Sequence, residues 1–367
     1  MLVKIYSGGN FMAKKAASFL GANTPKGFVS LFDELYNPYD KARAYIIKGG
    51  PGTGKSTFMK KIADKAEKSG FFTERVYCSS DPSSLDAVIV PQMNFSICDG
   101  TSPHVVEPRF PGVAENILNL GEFWDAEKLR KNGDEIRGLF FENSLYHRKS
   151  GKYLAAAGHI DSLNRKLVMN YIRTDKTDSY ATRFIYRELS AKRGEGRGEK
   201  SRRFMSAITP RGNIFLGDAV QSLCPRVIGI DDSEGVISAL VTDRIGEGAV
   251  KNGYRAIYCC CPMNPAESEH LLVPEKGIAI VRLHRASCEL PCVRMIHAGR
   301  FMKDGFRENR TVIKFNNKLK DELIKESVNC LKQAKSTHDK LERIYIDAMD
   351  FERLNEYCQS FIDKLFT

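Results

Sequence analysis

The stretch "AYIIKGGPGTGKSTFMKKIADKAEKSG", residues 44–70, constrains the fold more than any other part of the chain. Residues 44–48 are a short apolar run suited to a buried strand, and residues 55–68 carry a helical pattern closed by Gly70. Between them Gly49, four further residues, Gly54, Lys55 and Ser56 follow the spacing of a phosphate-cradling loop. Gly50, Gly52 and Gly54 let the backbone bend around an anion and turn several N–H groups toward it. The helix that follows aims its positive end at the same point. In such a loop Lys55 reaches the β- and γ-phosphates of a nucleotide, the Ser56 hydroxyl ligates Mg²⁺, and Thr57 lies beside the α-phosphate. With Gly49 and Thr53 these residues make up the expected nucleotide-binding set.

Two later carboxylates compete for the metal side of such a site. "ERVYCSSDP" reads as a short strand ending at Asp81, and "NFSICDGTSPH" as another ending at Asp99. An Asp at the C-terminal end of a strand beside the phosphate loop holds the metal or orients the nucleophile. Asp99 follows Phe95, Ile97 and Cys98 and better fits the Walker B pattern, so Ser56 and Asp99 are the expected metal pair, with Asp81 as the competing carboxylate. His104 and Arg109, downstream of Asp99, are candidates to face the γ-phosphate, Arg109 as a transition-state cation. Each also has a plain reading: a turn-forming Asp, a loop histidine, an exposed arginine.

The chain also matches itself. "ANTPKGFVSLFDEL" at 22–35 resembles "AITPRGNIFLGDAV" at 207–220, a shift of 185. "VYCSSDP" at 76–82 resembles "IYCCCPMNP" at 257–265, "VIVP" at 88–91 falls on "LLVP" at 271–274, and "FSIC" at 95–98 on "IAIV" at 278–281. The slot of the glycine loop is held in the back half by "IGIDDSEGVISALV", residues 228–241. There Lys55 corresponds to Ile237, Gly49 and Gly50 to Asp231 and Asp232, Asp81 to Asn264 and Asp99 to Arg282. The cation and both carboxylate candidates are gone together, so the back half is expected to be a scaffold, partner surface or regulator. Lys26 and Arg211 sit in a shared T-P-[KR]-G turn; Arg211 is also a candidate arginine finger onto the front site.

These observations predict an α/β protein of two tandem P-loop NTPase-like parallel-sheet domains, each with a helical appendage. Residues 1–191 form the active nucleotide-binding domain and residues 204–367 the degenerate repeat with a C-terminal helical hairpin. The glycine-rich, charged "KRGEGRGEKSRR" at 192–203 reads as a flexible linker. Hydrophobic content of 42% and no apolar run near the roughly 18 residues of a membrane span indicate a soluble chain. Lys4, Lys14 and Lys15 interrupt the N-terminal apolar positions, so no secretory signal is expected, and "YSGGN" at 6–10 reads as a turn. Ten cysteines without framework spacing suit a reducing, cytoplasmic compartment, and a metal site from Cys259, Cys260, Cys261, Cys288 and Cys292 is disfavoured because no CxxC pair occurs. The formal charge of +11 permits an anionic partner without naming one, and no aromatic-interleaved basic stripe marks a nucleic-acid platform.

The run "GGPGTGKST … CSSDPSSLDAVIVP … ICDGTSPH … EPRFPG", with "TPKG" upstream, resembles a largely uncharacterised bacterial family of tandem-repeat P-loop ATPases over nearly the whole chain. The resemblance implies nucleotide hydrolysis without supplying a substrate. It departs in the back half, where the family often carries a second glycine- and lysine-containing loop. An N-K-x-D guanine-reading motif is missing, so ATP is expected ahead of GTP, and Asp99 is followed by Gly100 where helicase-type ATPases place Glu. The expected activity is a Mg²⁺-dependent ATPase whose cycle switches the conformation of its helical appendages or its inactive second half, with an unknown protein partner or small-molecule acceptor. The alternatives are a kinase for a small-molecule acceptor, with Asp81 activating its hydroxyl, and a nucleotide-gated binding protein with negligible turnover.

Overall fold

The computed structural model describes residues 15–40, 42–192, 196–283 and 290–367. Lys4, Lys14, the "YSGGN" turn, Cys288 and part of the expected linker lie outside the described residues.

In the front half, β1 (Lys15–Ser18) leads into a hairpin of β2 (Gly21–Thr24) and β3 (Gly27–Ser30), followed by β4 (Arg43–Lys48) and α1 (Lys55–Lys68). Then come β5 (Thr73–Tyr77), β6 (Leu85–Val90), β7 (Phe95–Asp99) and β8 (Glu115–Asn119), and the helices α2 (Ala126–Lys131), α3 (Gly133–Met169) and α4 (Thr174–Glu188). The back half repeats the series with β9 (Lys200–Arg203), the hairpin β10 (Ser206–Thr209) and β11 (Gly212–Phe215), and a short α5 (Gly217–Leu223). It continues with β12 (Arg226–Asp231), α6 (Val236–Lys251), β13 (Ala256–Cys261), β14 (Asn264–Val273), β15 (Ile278–Leu283) and β16 (Arg294–His297), and ends in α7 (Arg310–Asp347) and α8 (Phe351–Phe366). Lys200–Arg203, the end of the expected linker, is therefore an edge strand paired with β13.

Each half builds a six-stranded sheet, ordered β1-β5-β6-β7-β4-β8 and β9-β13-β14-β15-β12-β16, the same order twice. The expectation of parallel sheets is corrected: both are mixed. β6 runs antiparallel to β5 and β7, and β14 to β13 and β15. The cause is local. Only Pro91–Asn94 separates β6 from β7 and Pro274–Gly277 separates β14 from β15, each turn ending in a left-handed residue (Asn94, φ 48°; Gly277, φ 59°). Parallel neighbours need a crossover of a dozen residues or more, which these turns do not provide.

The repeated T-P-[KR]-G element is a hairpin turn in both halves. Thr24 Oγ1 donates to the Gly27 carbonyl at 2.7 Å and Thr209 Oγ1 to that of Gly212 at 2.9 Å. Gly27 and Gly212 have φ of 95° and 102°, which explains why only Gly serves there. Lys26 and Arg211 are basic by position; the part of each that the turn uses is its backbone N–H, donated to the threonine hydroxyl. Cys259, Cys260 and Cys261 are buried in β13 as free thiols, and burial pushes the latter two up to about 11 and 12.

The long helices exchange partners. α3 and α7, of 37 and 38 residues, lie antiparallel against each other: Asn143 Nδ2 donates to the Ala334 carbonyl, the Ser150 and Ser327 hydroxyls meet at 2.7 Å, and Lys320 pairs with Asp161 at 2.8 Å. At 1.5 Å per residue each carries its chain roughly 55 Å, from one sheet to the other. As a result α4, a front-half helix, packs its Tyr180, Ala181 and Phe184 into the core of the back sheet with Ile228, Ile230 and Val241. In return α8 places Leu354, Cys358 and Ile362 in the front core against Ile47, Phe58 and Ile62. The joints match as well: Asp350 N donates to Phe123 O, and Arg173 N to Phe301 O. The division at residues 191 and 204 follows chain connectivity, whereas the cores are each built from both halves.

Candidate functional site

The six residues Gly49–Gly54 link β4 to α1. Ala44, Ile46 and Ile47 bury β4 between β7 and β8, which fixes where the loop emerges. Gly52 and Gly54 have φ of 68° and 83°, and the left-handed Gly54 caps α1 with no side chain on the helix N-terminus. The first N–H groups of α1 thus remain available to an anion. Inside the loop, Thr53 Oγ1 donates to the Gly50 carbonyl at 2.9 Å. Lys55 folds back, its Nζ donating to the carbonyls of Gly49 at 3.0 Å and Gly50 at 2.7 Å. The same Nζ lies 3.6 Å from Asp99 Oδ2, with the two side chains only 12% and 15% exposed. Asp99 Oδ1 accepts from the N–H and hydroxyl of Thr101. Ser56 Oγ accepts from the Leu85 N–H at 2.9 Å, which ties α1 to the start of β6.

A cavity of 860 Å³ opens from this loop and takes in Ser56, Thr57, Asp81, Asp99 and His104. Its far wall belongs to α3 and α7, through Asn143, Ser144 and His147 on one and Lys335, His338 and Glu342 on the other. α7 also lies directly on the loop: a Cβ at Gly50 would stand 2.5 Å from the Tyr345 ring, and one at Gly52 2.7 Å from the Glu342 carbonyl oxygen. His338, Asp339 and Glu342 bring potential ligand atoms within 4.8 Å of one another, but Asp339 is already paired with Lys335 and Glu342 with His338.

The sequence candidates part company here. Asp81 is not the end of a strand: β5 stops at Tyr77, and Asp81 opens the turn that follows. Its carboxylate accepts from the Ser83 N–H and hydroxyl and from the Ser84 hydroxyl, and pairs with Lys335 at 3.4 Å. Burial raises its pKa, but these serine bonds and Lys335 outweigh that and hold it at about 2. Arg109 does not line the cavity; it is exposed on the outer rim and pairs with Asp33 at 3.2 Å. Arg211 is likewise exposed, and the cavity is met by its neighbour Pro210 instead, so the finger expected of it is not in place.

Asp86 and His104 are the buried polar pair of the site, Asp86 hydrogen-bonded with the Cys78 thiol. Both are 5% exposed, and neither ring nitrogen of His104 has a hydrogen-bond partner. His104 Nε2 stands 3.8 Å from Asp86 Oδ1, while the ring packs on Phe32 at 4.3 Å. Burial, and then the charge of Asp99, push Asp86 up to about 7; burial pulls His104 down to about 4, so its imidazole is neutral near neutrality. Sequence reasoning missed Asp86, although a lone carboxylate inside the apolar run "LDAVIV" was the available signal. Lys335, His338 and Glu342 gave no local signal, because they reach the site only through the fold of α7.

The back half closes the equivalent place from within. Four residues, Asp232–Gly235, join β12 to α6 where the front loop has six, so alignment of the helix starts sets Val236, rather than Ile237, at the position of Lys55. Arg282, the counterpart of Asp99, donates to the Asp232 and Ser233 carbonyls and lies 3.8 Å from the buried Glu269. Its guanidinium leaves no room at Gly235, where a Cβ would stand 2.7 Å from Cζ. Asp232 in turn accepts from Ser238 N and Oγ.

Comparison of the chain with protein-family models, curated proteins and solved structures returned no match.

Proposed function

We propose that the front half binds a nucleoside triphosphate, ATP ahead of GTP, at Gly49–Thr57 and hydrolyses it with Mg²⁺. One observation carries this reading: a glycine loop with two left-handed residues runs into an uncapped helix N-terminus, and its lysine already spans the loop carbonyls and the carboxylate on the neighbouring strand. Phosphate oxygens would take the N–H groups of the loop, and Lys55 would swing from the Gly49 and Gly50 carbonyls to the terminal phosphates. The Ser56 hydroxyl and Asp99 are the oxygen donors that would hold Mg²⁺, which would supply positive charge against the phosphates. The cavity falls in the range of small-molecule sites, about 300–1,000 Å³, and leaves space past the loop.

That space favours a second reading, transfer to a hydroxyl of a small acceptor held by Asn143, Ser144 and His147. The acceptor-activating part assigned to Asp81 loses its support, since that carboxylate is tied to Ser83, Ser84 and Lys335. The back half, plugged by Arg282, would serve as scaffold and as the source of α7.

The test is phosphate release from Mg-ATP by the unaltered chain and by Lys55→Ala, without added substrate. Lysine-dependent release supports the hydrolase. Binding without release, followed by ADP formation only in the presence of a metabolite, selects the kinase. No binding overturns both.

A further inference from the structure

We propose that Asp86 is the general base of the front site and that His104 holds the attacking water against it. The proposal rests on the hydrolase reading above and supplies the residue that reading lacks.

A base following Asp99 directly is excluded by packing, because a Cβ at Gly100 would stand 2.3 Å from Ile46 Cγ2. Three other carboxylates border the cavity. Asp99 is engaged by Lys55 and Thr101, Asp81 by two serines and Lys335, and Glu342 by His338 on a half-exposed arm. Asp86 remains. It sits on β6, one residue beyond the Leu85 N–H that bonds Ser56, so it is tied in register to the start of α1. Beside it His104 brings two ring nitrogens that are buried and unpartnered. Buried polar groups are nearly always hydrogen-bonded, and an exception calls for a catalytic or ligand-binding reason. The 3.8 Å between Nε2 and Oδ1 is too long for a direct bond, and a water bonded to both is the arrangement such a gap fits.

In the reaction a neutral His104 nitrogen accepts one water hydrogen and Asp86 takes the proton of the other O–H. The water oxygen forms its bond to the γ-phosphorus as the bond to the β,γ-bridging oxygen breaks, and that electron pair leaves with ADP. Burial makes Asp86 basic enough to accept a proton near neutral pH. The groups around it that set this balance are Asp99, Asp81, Cys78, Lys55 and His104.

The experiment measures steady-state phosphate release and the affinity of a fluorescent ATP analogue for the full chain and for Asp86→Asn, Asp86→Ala and His104→Gln. Asp86→Asn is expected to lower kcat by roughly 10²–10⁴-fold with nucleotide affinity changed less than threefold. Formate is expected to restore part of the turnover of Asp86→Ala, and His104→Gln to fall between. Turnover of Asp86→Asn within threefold of the unaltered chain overturns the proposal. So does loss of nucleotide affinity in parallel with turnover, or an Asp86→Ala that formate leaves silent. An unaltered chain that binds no nucleotide brings down the functional reading itself, a result distinct from all of these.

Discussion

Arg203 on β9 grips Glu74 on β5 with one edge of its guanidinium, Nε to Oε1 at 2.6 Å and Nη2 to Oε2 at 3.1 Å, and both side chains are buried. The pair joins the edge strand of the back sheet to the front sheet. Ser18 donates a third bond to the carboxylate. Burial alone would raise the pKa of Glu74, but the charge and bonds of Arg203, with Ser18, draw it below the usual range.

Removing one partner of such a pair strands the other in low dielectric. Glu74→Ala is expected to cost about 3–5 kcal/mol, read from urea unfolding of the nucleotide-free chain. Replacing both residues with methionine should recover much of that loss, because well-packed apolar groups often equal a buried ion pair. A single-variant cost below 1 kcal/mol would show that water reaches the pair.

Two left-handed glycines separate loop function from plain backbone strain. Gly27 has φ 95° and open space at its Cβ position, so Gly27→Ala should cost only the conformational penalty of about 1–2 kcal/mol. Gly52, at φ 68°, has the Glu342 carbonyl 2.7 Å from its Cβ position, and the clash is with helix backbone. Gly52→Ala must displace either α7 or the loop. A loss of nucleotide affinity of tenfold or more is expected for Gly52→Ala and none for Gly27→Ala, both measured by titration with a fluorescent analogue.

The sequence made some of this legible and not the rest, for physical reasons. The glycine loop, the lysine and Asp99 lie within about fifty residues and are placed by local strand–turn–helix geometry, so their spacing was enough. The repeat announced the equal strand order of the two sheets. The antiparallel β6 and β14 were readable too, from the short Pro91–Asn94 and Pro274–Gly277 turns, but motif spacing alone suggests parallel neighbours. What no local pattern contains is the exchange of α4 and α8. It depends on the length of α3 and α7, and with it goes the arrival of Lys335 and His338 at the site. Arg109 fell on the wrong side for a related reason, since a loop position fixes no direction.

Asp86 predicts a pH signature of stability. Its folded pKa of about 7 lies above the ordinary 3.8, so the folded state binds the proton that the unfolded chain has released. Its contribution is full below pH 4 and is lost as pH rises through 7, a span of about 3 units or ~4 kcal/mol at most. His104, held down at about 4 from 6.5, works oppositely: its neutral burial costs stability as pH falls from 6.5 toward 4. The two slopes offset each other in the unaltered chain. Asp86→Asn removes one, so its melting temperature relative to the unaltered chain should climb between pH 5 and pH 8 in chelator. A variant that is more stable at pH 8 yet slower in turnover is the mark of a residue kept for chemistry at the expense of the fold.

The exchanged helices make a stronger claim on the whole molecule. The front core that carries α1 is closed by Leu354, Cys358 and Ile362 of α8, with the Phe361 ring edge-on to Tyr45 and Phe58 at 5.0 and 5.3 Å. Residues 1–191 contain none of these α8 side chains, and they carry an α4 whose Tyr180, Ala181 and Phe184 pack into a core built largely from residues 228–313. Truncating one such contact, Leu354→Ala, should cost about 2–5 kcal/mol. Removing the helix altogether takes away three such contacts, a loss on the order of the 5–15 kcal/mol that holds a typical domain together. A chain of residues 1–191 alone is therefore expected to melt without cooperativity and to bind no ATP analogue, despite holding the entire glycine loop. Co-expression with residues 196–367 should restore both properties, since each piece supplies the helix the other sheet lacks. Cooperative melting and analogue binding by residues 1–191 alone would mean that α8 covers the front core without being needed to form it.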